Sequence, residues 1–236
     1  MKARALVLQF GGAAGTLASL RDKALPVAKA LADDLGLKLP VLPWHTQRDR
    51  IAEAASFLGM LTGTLGKIAR DISLMMQTEL GEVAEPAAGK GGSSTMPHKR
   101  NPVGCAAVLT AATRAPNLVA TIFAGMVQEH ERALGGWQAE WEALPDLARL
   151  TARALENIKD IVPAMEVNVE RLAQNLNATN GLVLGEAVML ALGNAIGRLD
   201  AHKLVEQASK ASVANGTPLF DELAANETVA RHLSQD

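Results

Sequence analysis

Gly89-Lys90-Gly91-Gly92-Ser93-Ser94-Thr95-Met96-Pro97-His98-Lys99-Arg100-Asn101-Pro102 separates two long stretches of helical apolar spacing, and its chemistry differs from both. Glycines let backbone N–H groups approach a ligand closely and reach φ > 0. The serines offer a base or nucleophile, Lys99 and Arg100 bring positive charge, and Pro97 and Pro102 fix the shape of the segment. Composition alone permits a flexible Gly/Ser linker. That is the commoner reading of such a tract, and an anion grip with proton chemistry beside it is the alternative. A nucleotide cradle is excluded by spacing, because neither Gly89-Lys90-Gly91 nor Gly66-Lys67-Ile68 completes G-x-x-x-x-G-K-[ST].

Upstream, Ile51, Ala54, Leu58, Leu61, Leu65, Ile68, Ile72 and Met75 recur at 3-4 spacing. They predict one helix from Trp44 to Leu80, about 55 Å long, with partners along its whole face. Thr46 is its predicted cap, with Asp49 completing a box-like pattern. Downstream, Val103–Met126 is predicted as an alanine-rich helix kinked at Pro116, and Leu144–Val162 as another. The composition agrees, with 48% hydrophobic residues, 3% aromatic and no tyrosine. Close-packed helices suit such a core better than a sheet sandwich does.

Farther out, Met1–Phe10 reads as the tail of a helix broken by Gly11-Gly12-Ala13-Ala14-Gly15-Thr16. Leu20–Leu35 is amphipathic and ends at Gly36, a residue suited to the left-handed C′ position. Leu37–Pro43 is an extended connector. After Pro163 the segments shorten: Asn180-Gly181 marks a turn, and Glu186–Gly197, Asp200–Asn215 and Pro218–Ala225 read as helices. The expected organisation is all-α, with a long-helix bundle domain over 1–163 and a small helical domain over 164–236.

Charge and cysteine content exclude several classes. A net charge of −2, from 23 basic and 25 acidic residues, leaves no basic stripe for nucleic acid. No apolar run is expected to reach the roughly 18 residues of a membrane span. Cys105 is the single cysteine, so an internal disulfide is impossible and a reducing, cytoplasmic setting is expected. It reads as a small core residue. Glu79, Glu82 and Glu85 lack the convergent His or Asp partners of a metal site, and His130-Glu131 is no zinc motif because Leu134 stands where a second histidine is required.

Gly92–Pro102 resembles the signature of the fumarase/aspartase superfamily, G-S-S-x-M-P-x-K-x-N-P. The resemblance implies all-helical homotetramers that add or eliminate a group beside a carboxylate, each site being shared between subunits. It implies that Ser93 is the general base, that Lys99 and Asn101 bind and neutralise a substrate carboxylate, and that Ser94, Thr95, Met96 and His98 contact substrate. Gly11–Thr16 resembles the family's G-A-x-G-T segment. Relatives carry T-x-x-H histidines upstream of it, so the resemblance raises the expectation of a chain lacking an N-terminal portion and a C-terminal piece.

Two further segments refine the resemblance. Adenylosuccinate lyases carry Thr-Gln where Pro43-Trp44 stands, and phosphate-binding serines where Ala133-Leu134-Gly135-Gly136-Trp137 stands. Pro43-Trp44-His45 with Arg48-Asp49, and Glu129-His130-Glu131-Arg132 with Trp137 and Trp141, instead resemble the branch that lactonizes 3-carboxy-cis,cis-muconate. That branch interconverts this substrate and carboxymuconolactone in protocatechuate breakdown, the β-ketoadipate route, without cofactor or metal. A polycarboxylate substrate, with its three carboxylates, calls for extra cations, and Arg132, then Arg48 and His130, are the candidates for them. A different lyase of the superfamily and a non-catalytic oligomerising helical piece are the competing readings.

Overall fold

The computed structural model describes residues 2–86, 91–92, 95–96 and 99–233, in two compact units. The first comprises Met1–Met76 with Val83–Glu166, the second Gln77–Glu82 with Val167–Asp236. In the first unit, α1 (Lys2–Ala5) and α2 (Ala24–Leu35) precede three long helices, α3 (Asp49–Met75), α4 (Val103–Ala124) and α5 (Gly136–Ala164). Their run is up-down-up. Ala52 and Ala55 of α3 meet Ala115 and Ile122 of α4 and Ala143 and Leu147 of α5 at one end. Leu65, Ala69 and Ile72 meet Cys105, Val108 and Ala111 and Ala154, Ile158 and Ile161 at the other.

Small residues set the helix separation. A Cβ on Gly59 would lie 2.8 Å from Val119 Cγ2, and one on Gly66 would lie 2.6 Å from Ala112 Cβ. The Thr62 and Thr151 hydroxyls, both buried, lie 2.8 Å apart and bond across the α3–α5 seam. α4 carries Pro116 as the sequence has it, and is long and apolar enough to cross a membrane, contrary to the expectation that no run reaches that length. Its place between α3 and α5 supplies the physical reason: both neighbours pack on its apolar side chains.

Three other expectations are corrected. α3 begins at Asp49 rather than Trp44, and its N-cap is Arg48 with no side-chain cap, so Thr46 caps nothing. The helix ends at Met75 because the chain turns there, with the Gly81 N–H donating to Gln77 O at 2.7 Å. Met1–Phe10 is helical only over Lys2–Ala5. Beyond that Val7 forms a parallel bridge with Lys38, which consumes backbone groups a helix would have used. Gly36 does terminate α2, at φ 64°.

The second unit packs α6 (Val169–Asn177), α7 (Gly185–Ile196), α8 (Arg198–Asn215), α9 (Leu219–Ala224) and α10 (Glu227–His232). Their core holds Leu192, Ala201, Val205, Leu219, Leu223 and Val229. Asn168 caps α6 and Asn226 caps α10 by accepting backbone N–H bonds. Arg171 fastens α6 to the Glu79 and Leu80 carbonyls at 2.7 and 2.8 Å, and a turn does fall at Asn180-Gly181, with both residues left-handed.

Candidate active site

The candidate residues fall into two groups at opposite ends of α4. At its N-terminal end lies the base of the signature loop. Asn101 donates twice to the Gly91 carbonyl, from its backbone N–H at 2.9 Å and from Nδ2 at 3.1 Å. Gly91 sits at φ 80°, and a Cβ there would lie 2.5 Å from the Asn101 carbonyl oxygen, so only glycine closes this loop. The Lys99 N–H turns back onto Met96 O at 3.0 Å, and the Lys99 and Thr95 side chains are exposed. Ser93, Ser94 and His98 lie outside the described residues.

The loop's flanks are tied to the bundle. Glu85 caps α4, its two carboxylate oxygens accepting from Gly104 N at 3.0 Å and Cys105 N at 2.7 Å. This places an anion on the positive end of a helix dipole. Burial, reinforced by the Glu85 carboxylate, pushes the Cys105 thiol up to about 12. A thiol so placed has no thiolate to offer as a nucleophile. The core assignment made for Cys105 therefore holds, at 0% exposure.

At the other end of α4 is a cavity of about 570 Å³, lined by Gly11, Gly12, Trp44, His45, Arg48, Arg132 and Trp137 among others. Arg48 lines it but is buried and engaged: Nε donates to Glu140 Oε1 at 2.9 Å, Nη2 to Glu140 Oε2 at 2.6 Å, and Nη1 to the His45 carbonyl at 3.2 Å. Arg132 donates to the Ala13 and Gly12 carbonyls at 2.8 and 3.0 Å, with its guanidinium 4.7 Å from the Trp137 ring. His45 Nε2 stands 2.9 Å from the same Gly12 oxygen. The glycine segment is thus gripped from both sides, and a Cβ on Gly11 would meet Pro43 Cβ at 2.9 Å. Trp137 and Trp141 stack edge to face at 5.1 Å, and the Trp44 indole N–H donates to Leu8 O at 2.9 Å.

His130 is exposed in a left-handed turn at φ 51° and does not line this cavity. His45, Gln128 and Trp137 do, and the sequence assigned them no site role. For His45 the signal is present in the Pro43-Trp44-His45 segment, but reading Thr46 as a helix cap places that segment at a helix start rather than in a site. At 1.5 Å per residue the 22 residues of α4 separate the loop base from the cavity by about 33 Å. One chain therefore brings Lys99 and Asn101 together, and separately brings Arg48, His45 and Arg132 together.

Residues 1–116 match the family described as Lyase, and residues 181–236 that described as Adenylosuccinate lyase C-terminus. The chain belongs to the fumarase/aspartase superfamily of lyases. It is 57% identical to a 3-carboxy-cis,cis-muconate cycloisomerase of Pseudomonas aeruginosa over 237 residues, covering 100% of this chain and 52% of that protein. It is 58% identical to a protein of the same name from Bradyrhizobium diazoefficiens, covering 98% and 51% respectively. The crystal structure of the 3-carboxy-cis,cis-muconate lactonizing enzyme from Pseudomonas putida superposes with a TM-score of 0.87 at 54% identity, covering 99% of this chain and 51% of that one. The chain spans about half the length of the curated relatives it matches.

Proposed function

We propose that this chain serves a cycloisomerase that interconverts 3-carboxy-cis,cis-muconate and carboxymuconolactone in the cytoplasm. One observation carries the reading: the complete serine-loop signature stands in a chain 57% identical, over its whole length, to a cycloisomerase of that name. In the lactonizing direction a substrate carboxylate adds across a double bond and the neighbouring carbon is protonated. In reverse, a proton leaves the carbon α to a carboxylate and the ring oxygen departs from the β carbon.

The difficult species is the carbanion, which delocalises into a doubly charged aci-carboxylate. Lys99 and the loop N–H groups would stabilise it electrostatically, usually the largest catalytic contribution. Ser93 would exchange the proton, and needs cationic neighbours and exclusion of water to act as an alkoxide. Asn101 binds carboxylate in this reading while its bonds to Gly91 hold the loop. Arg132, at the cavity wall, would meet a further carboxylate; Arg48, engaged by Glu140, shapes that wall, and His130 would reach substrate only from outside the cavity. In this reading the first unit, Met1–Met76 with Val83–Glu166, holds this chemistry, and the second is the small helical domain.

The reading includes a homotetramer in which the loop of one copy meets the cavity of another. Two features support that assembly: the separation of about 33 Å along α4, and the exposed apolar side chains of Phe57, Met60 and Phe123 on α3 and α4. The testing experiment is ultraviolet-monitored loss of the substrate's diene, run beside Ser93→Ala. Turnover abolished by Ser93→Ala is the expected result. Turnover indifferent to it would sink the mechanism, and no turnover by a helical, oligomeric chain would favour the non-catalytic reading.

A further inference from the structure

Lys99, Arg100 and Asn101 are consecutive, yet the middle residue is turned onto the protein. Arg100 Nη1 donates to Glu166 Oε2 at 2.5 Å and Nη2 to Glu166 Oε1 at 3.0 Å, while Nη2 also donates to the Glu85 carbonyl. Glu166 follows the last turn of α5, and Glu85 stands on the limb that enters the loop. One guanidinium thus ties the outgoing limb to the incoming limb and to the end of a bundle helix. The next residue, Asn101, makes the second tie, to Gly91. Ties at adjacent residues fix both the place and the twist of the backbone that carries Lys99.

Energetics separate geometry from stability here. The Arg100 and Glu166 side chains are 35% and 58% exposed, where an ion pair adds little to folding. A two-pronged guanidinium–carboxylate contact nevertheless sets orientation sharply. We propose that Arg100, held by Glu166 and the Glu85 carbonyl, is a positioning residue that aims Lys99 at the substrate carboxylate. This rests on the reading that the loop performs the chemistry. Arg100 itself touches no substrate, because its fork is occupied by the protein.

The test uses the full chain with Glu166→Gln and, separately, Arg100→Lys, which keeps the charge but loses the fork. Hydrogen exchange at the Asn101 amide should quicken several-fold in both variants while amides of α3, α4 and α5 keep their protection. In the diene assay kcat should fall with KM nearly unchanged, the sign of a group misplaced in the transition state. Unchanged Asn101 exchange in Glu166→Gln, or wild-type kcat in Arg100→Lys, would overturn the proposal. A wild-type chain without turnover would sink the functional reading instead, and the exchange measurement would still decide whether the clasp holds the loop.

Discussion

The same pair of residue types closes both ends of the helical bundle. At the cavity end Arg48 and Glu140 meet with side chains 9% and 4% exposed; at the loop end Arg100 and Glu166 meet at 35% and 58%. Both contacts are two-pronged, so burial is the variable. A buried guanidinium that loses its carboxylate is left as an uncompensated charge, whereas an exposed one is rehydrated. The cavity end is therefore held by an interaction the fold cannot lose, and the loop end by one whose loss alters geometry.

The largest effect that sharpens this contrast is at Glu140. Glu140→Ala strands the Arg48 charge and should destabilise the chain by about 3–5 kcal/mol in denaturant titration. Glu166→Gln should leave the unfolding midpoint where it was. Equal midpoints for the two variants would break the comparison. Between the ends, Gly66→Ala forces a methyl to within 2.6 Å of Ala112 Cβ. It should cost about 1–3 kcal/mol through overpacking, read as a lowered Tm.

Acid provides a smaller effect. The Arg100 hydrogen bond holds the Glu166 carboxyl below its usual range, and Arg4 does the same for Glu53. A carboxylate lowered on folding contributes stability that is fully present above its ordinary range and lost as pH falls through the lowered folded value. Loosening of the Asn101 amide should therefore begin below the ordinary carboxylate range and not at neutral pH. Exchange measured as a function of pH checks this. The smallest effect is at Cys105: thiol reagents at mildly alkaline pH should leave the folded chain unmodified, with labelling appearing only on unfolding, as followed by mass spectrometry.

The helical class and the bodies of α3, α4 and α5 are legible in the sequence, because Leu65, Ile72, Leu147 and Ile158 repeat at helical spacing and are buried. Helix ends were less legible. Trp44 leaves the helix to bond Leu8, and Val7 abandons helix for a bridge to Lys38; both partners are remote in sequence. The loop was legible through its signature, and the φ > 0 expected of its glycines is met at Gly91; that Gly91 closes the loop onto Asn101 was not legible. Its separation from Arg48 and Arg132 was not, because a list of site residues carries no distance. Nor did residue type show that Arg48 belongs to Glu140, since that partner lies 92 residues away on another helix.

In the proposed assembly the loop of one copy works on the cavity of another. The most direct measurement mixes two variants, Lys99→Ala and Arg132→Ala, unfolded and refolded together, in the diene assay. Each alone should be inactive. The mixture should regain turnover, because some hybrid sites draw an intact loop from one copy and an intact cavity from another. A mixture that forms hybrid oligomers yet stays as inactive as its parents would contradict the claim.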